Sequence, residues 1–147
     1  MNSTQQPRVD YALVIDSCIR FRQNQLRTSS TLGHHEVLDE LWKVWDGCKQ
    51  PNWDGFGAVP VTESSFVLAY ELICSLPLAF PRPSIGAEPD GHLTMEWYKS
   101  PQRVVSVSVD PTGLLHYAGL FGSNKHYGSM PFFGTVPAYL IKLIRDL

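Results

Sequence analysis

Cysteine is scarce in this 147-residue chain. Cys18, Cys48 and Cys74 lie far apart, form no C-x-x-C and are odd in number. That argues against a disulfide framework and fits free thiols in a reducing compartment. Excess charge is also lacking: 12 Lys and Arg stand against 14 Asp and Glu, for a formal net charge of −2. No global field therefore favours nucleic acid or an anionic membrane, and neither is expected as a partner. The densest basic group, Arg20, Arg22 and Arg27, reads as a solvated helix face rather than a phosphate site. No apolar run approaches the ~20 residues needed to cross a bilayer, and Met1 to Asp10 has no apolar stretch of signal-peptide type. A cytoplasmic location follows as the expectation. Signature motifs are missing as well: there is no H-E-x-x-H, no G-x-S-x-G and no P-loop Lys-Ser/Thr. No metal and no cofactor are expected.

Apolar residues make up 44% and charged residues 18%, a globular balance, and the length suits one domain spanning 1–147. Residues 1–8 are polar and are expected to be a disordered end. Tyr11, Val14, Ile15, Cys18, Ile19 and Phe21 recur at helical spacing and predict a helix from about Asp10 to Gln25. Val37, Leu38, Leu41, Trp42, Trp45 and Cys48 predict a second, over about 33–48, ended by Gly47 and Pro51. Thr62 is a candidate N-cap for a third, with Phe66, Val67, Tyr70, Ile73 and Cys74 as its apolar face and Pro77 as its stop.

The period then changes from helical to alternating. Leu93, Met95 and Trp97 alternate with Thr94, Glu96 and Tyr98, and Val105, Val107 and Val109 alternate with Ser106 and Ser108. Leu114 to Leu120 continues as a third strand, with a short fourth near Lys125 to Ser129. Pro89-Asp90-Gly91 and Asp110-Pro111-Thr112-Gly113 carry turn chemistry. Leu140, Leu143, Ile144 and Leu147 form the stripe of a last helix with Pro137 in its first turn. Segregated elements of this kind predict an α+β fold: an antiparallel three- to four-stranded meander covered by N-terminal helices and a C-terminal helix.

The chain is organised around Trp53-Asp54-Gly55-Phe56-Gly57, an irregular loop between two helical patterns. Its two rings are expected to be buried, with Asp54 accepting N–H bonds from its own turn. The competing reading is a surface recognition loop. Together with Ala58, Pro60-Val61, Pro89-Asp90-Gly91, Leu93, Glu96-Trp97 and Tyr117-Ala118-Gly119-Leu120, this loop resembles a widespread family of small bacterial proteins. That family carries a W-D-G-x-G-A loop followed by P-D-G and L-x-L-E-W-like strand motifs. The resemblance covers roughly Asn52 to Leu147, with Met95 where an aliphatic residue is expected. It implies a bacterial or mobile-element setting and no particular chemistry.

Elimination leaves partner binding as the favoured function: a non-catalytic protein-interaction module, inhibitor-, antitoxin- or immunity-like. Four tryptophans, six tyrosines and seven phenylalanines are many for this length, and aromatics are enriched in interfaces. Phe121, His126, Tyr127, Met130, Phe132 and Phe133 form the candidate patch, serving a protein partner or self-association. The alternative is a small hydrolase using Asp54, Glu96 and His116. His92, His116 and His126 can in principle converge across the meander, and His116 can meet Ser106 or Ser108. Glu96, beside Trp97 in a strand, must face away from it.

Overall fold

The structure, a computed structural model, describes residues 34–147. The expected helix over Asp10 to Gln25, with Cys18 and the arginine group, lies outside the described residues. Helix α1 spans His34–Cys48 and α2 spans Glu63–Ser75. Strands β1 (Ser84–Ala87), β2 (Leu93–Ser100), β3 (Arg103–Val109), β4 (Leu114–Phe121) and β5 (Asn124–Pro131) follow, then α3 (Ala138–Arg145). The fold is α+β, and the strands form one open antiparallel sheet in sequence order. It has five strands, not the three to four expected. The extra strand is β1, a four-residue element of which only Ile85 is buried. Its pairing, Ile85 opposite Met95 and Gly86 opposite Thr94, identifies it where apolar alternation does not.

The period-two rule assigns every strand residue to a face. Ile85, Met95, Val107, Tyr117 and Gly128 form one cross-strand row, and Ala87, Leu93, Val109, Leu115 and Met130 form the next. These rows face the core. Leu93, Val105, Val109 and Leu115 are fully enclosed, and burial of such a side chain contributes ~1.5–3 kcal/mol. Val37, Leu38 and Leu41 of α1, Leu72 and Ile73 of α2, and Leu140, Leu143 and Ile144 of α3 complete the same core. Tyr117 lies flat over its partner Gly128, where an added Cβ would stand 2.7 Å from the tyrosine oxygen. Its ring also meets Tyr139 of α3 edge-on, at 5.5 Å.

Thr62 caps α2 as expected, its hydroxyl accepting the Ser65 N–H at 3.2 Å. The segment between α1 and α2 is clamped at three points. Val61 N–H donates to Cys48 O (2.9 Å), Trp45 Nε1–H donates to Val61 O (3.1 Å), and Val59 N–H donates to Pro89 O (2.8 Å). The last bond fixes the segment to the β1–β2 turn. There Gly91 takes φ +89° beneath Pro60, whose carbonyl oxygen would lie 3.0 Å from any Cβ added at Gly91. Gly91→Ala combines positive-φ strain with that backbone clash, so it should cost ~2–3 kcal/mol. Thermal unfolding checks this; an unchanged midpoint would show that the turn is not held against Pro60.

Candidate functional site

The loop before Ala58 is held by polar bonds at the surface rather than by burial of its rings. Asp54 Oδ1 accepts the N–H groups of Phe56 (2.8 Å) and Ala58 (3.0 Å), as expected. Asn52 Oδ1 accepts from Gly57 N–H (2.6 Å), and Trp53 Nε1–H donates to Val59 O (2.9 Å). Asn52, Gly55 and Gly57 all have positive φ. The expectation that both rings are buried is corrected: Trp53 is half-buried and Phe56 is 94% exposed. Once the tight turn has satisfied its own N–H groups, Ala58 and Val61 enter the core in place of Phe56.

The face of the sheet opposite the core carries three cross-strand rows. The first is Gly86, Thr94, Ser108, His116 and Ser129; the second is Ser84, Glu96, Ser106, Ala118 and Tyr127; the third is Tyr98, Val104, Leu120 and Lys125. The polar end gathers residues from two turns. Glu88 N–H donates to His92 O and Asp110 N–H donates to Leu114 O, which places Glu88, His92 and Asp110 in a further row on this face. Glu88 Oε1 accepts the Ser108 hydroxyl at 2.5 Å and also the Thr94 hydroxyl. The His92 and His116 rings stack at 5.6 Å, nearly parallel. His116 Nε2 lies 3.2 Å from Asp110 Oδ2, and His92 Nδ1 lies 3.5 Å from Asp90 Oδ2. Glu88, Asp90 and His92 bring ligand-capable atoms within 4.8 Å of one another. Glu88 Oε1 already accepts two hydroxyls, so that oxygen serves the network.

Burial works against a charge on Asp110. Bonds from the Thr112 hydroxyl, the Leu114 N–H, His116 and the Thr112 N–H outweigh it and hold its carboxyl down at about 2, from an ordinary 3.8.

The hydrolase residues are not brought into one constellation. Asp54 is engaged by its own loop, Glu96 is exposed one row away from His116, and His116 pairs with Asp110. Ser108 stands opposite His116, but its hydroxyl donates to Glu88. His126 is on the other face, edge-on to Phe121 at 5.6 Å, so only His92 and His116 converge. Sequence reasoning missed Glu88 and assigned Asp110 to its turn alone. Alternation from Thr94 to His92 and from Ser108 to Asp110 gives the face of each within its own strand, and strand register then brings them together with Glu88.

The aromatic patch is split. Phe132 is buried, Phe121 and Met130 are partly buried against the core, and His126 sits between β5 and Tyr139 of α3, 3.4 Å from its hydroxyl. Tyr127 and Phe133 remain outside at 79% and 87% exposure. Tyr127 stands beside a shallow apolar groove of about 290 Å³ floored by Val104, Ala118 and Leu120. No family model, curated protein or solved structure matches this chain.

Asp110 is the group with the clearest pH signature. Its depressed value means that it stabilises the fold above about pH 4, and this contribution is lost as pH falls through about 2. Unfolding followed between pH 5 and pH 2 should show a loss of ~1–2 kcal/mol that Asp110→Asn lacks. Equal acid sensitivity of the two chains would refute this assignment.

Proposed function

We propose that this chain is a non-catalytic protein-binding module, bacterial or phage-borne, that receives a strand of its partner at the β5 edge. The supporting observation is the unequal treatment of the two sheet edges. At the β1 edge, Glu40 of α1 accepts the Ile85 N–H at 2.9 Å and so caps it. At the other edge, Phe132 N–H donates to Gly113 O, which sets the phase of hydrogen bonding along β5. Alternation then turns Asn124, His126, Gly128 and Met130 toward β4, and directs the N–H and C=O groups of Lys125, Tyr127 and Ser129 outward. Among the described residues these outward groups have no partner. Unpaired edges invite strand addition, and an exposed tyrosine beside an apolar groove supplies an anchor for the incoming side chains. Lys125 and Pro131 bracket the outward groups, so the pairing register available to a partner is short. The inhibitor-, antitoxin- or immunity-like character of the module rests on its size, its mild acidity and the motif resemblance.

The test joins copurification to amide exchange. A bound partner should slow exchange at Lys125, Tyr127 and Ser129. Tyr127→Ala and Ser129→Pro should each weaken binding about tenfold, the effect of a central anchor or a lost ladder bond. Proline at an outward-facing edge position leaves the β4–β5 ladder intact, so the unfolding midpoint should fall little. Light scattering of the chain alone at micromolar concentration separates a second copy from a foreign strand donor. Binding that protects other segments while β5 exchanges freely would reject the proposal.

A further inference from the structure

A second surface, away from the β5 edge, has the character of a small-molecule site. Between the α2–β1 connector, the far end of β2 and α3 lies a groove of about 550 Å³, within the ~300–1,000 Å³ range of ligand pockets. Its walls are apolar: Pro77, Phe80, Pro81, Trp97, Ile144 and Leu147. Trp97 is 2% exposed and its Nε1–H donates to Pro81 O at 2.8 Å, so the indole forms the closed apolar floor beneath Phe80 and Pro81. The charged side chains that line the groove are all cationic: Arg82, Lys99 and Arg145. Arg82 is committed to Glu36 of α1. Arg145 stacks its guanidinium over Phe80 at 5.6 Å, and among the described residues neither it nor Lys99 pairs with a carboxylate side chain. With Arg82 paired to Glu36, the cations left at the rim are Lys99 and Arg145. An apolar body with a cationic rim selects a ligand of complementary form.

We propose that this groove binds a small amphipathic carboxylate, its hydrocarbon or aromatic body against Phe80 and Pro81 above the Trp97 floor and its anionic group at the Lys99–Arg145 rim. The apolar walls supply affinity without regard to charge. The rim cations, exposed and screened by salt, supply a preference of a few fold for the anion.

Octanoate and octan-1-ol, which share a body and differ in head group, are the probes. The full chain is titrated with each, following the Trp97 indole N–H resonance identified through Trp97→Phe. Saturable shifts are expected from both, with octanoate about fivefold tighter. That preference should disappear in the Lys99→Gln, Arg145→Gln double variant and shrink in 0.5 M salt, about a four-ångström screening length. Both substitutions are at the rim, and an unchanged unfolding midpoint confirms that the walls are kept. Equal affinity for the two probes, absence of saturation at millimolar concentration, shifts confined to the Tyr127 face, or a preference indifferent to the double variant would each overturn the proposal.

Discussion

The whole arrangement depends on one face of a twisted antiparallel sheet being buried. Five strands joined in sequence order have only two faces, and the period of two makes the assignment of each side chain binary. Leu93, Met95 and Trp97 on β2 cannot enter the core without sending Thr94, Glu96 and Tyr98 to the other side. The same condition on β3 delivers Ser106 and Ser108 to the open face, and on β4 it delivers His116, Ala118 and Leu120. The helical core residues gather on the aliphatic side, so the open face is a by-product of core formation. Whatever chemistry or binding it carries is thereby held in register by the hydrophobic rows beneath it.

That face divides by distance from the turns. Near the β1–β2 and β3–β4 turns, the side chains that favour turn conformations are also polar and titratable, so Glu88, Asp90, His92 and Asp110 accumulate there. They answer one another's hydrogen bonds: Asp110 holds its own turn through Thr112 and Leu114 while orienting His116. A network so internally satisfied fixes the shape of that end and leaves the hydroxyl of Ser108 bound to Glu88 rather than to His116. Toward the β2–β3 and β4–β5 turns the rows become apolar, through Tyr98, Val104 and Leu120.

Much of the fold was legible because its strongest signals were periodic. The alternation of Leu93 to Trp97 and Val105 to Val109, the Thr62 cap and the turn chemistry at Asp90-Gly91 each specify one local structure. Where periodicity fails, the expectation failed with it. Strand β5 was expected to be short because its core-facing positions are His126, Gly128 and Met130, with no aliphatic repeat; Gly128 is there to admit the ring of Tyr117. Phe56 was expected to be inside because it is large and apolar, yet the position is decided by Asp54 and Asn52 closing a tight turn around it. Phe132 and Phe133 are neighbours in sequence, and an extended chain places only one of them against the core. The polar cluster was hidden for a different reason. Its members come from Glu88 to His116, and only strand register, which composition does not report, lays Glu88, His92 and Asp110 beside Thr94, Ser108 and His116.

The two surfaces proposed for binding are not independent in space. Lys125 on β5, Leu120 on β4, Val104 on β3 and Tyr98 on β2 are successive members of one cross-strand row. Tyr98 ends that row and also lines the cation-rimmed groove. The row therefore runs from the side of the groove to the β5 edge, where Lys125 ends it beside Tyr127. Side chains opposite one another in an antiparallel pair are neighbours, so Tyr98 adjoins Val104 and Val104 adjoins Leu120. At the Tyr98 end the β2–β3 pairing shifts register before Ser100, so the row stops where the regular ladder does. The row is a line of adjacent side chains on the open face, laid out by the same register that builds the core rows beneath it.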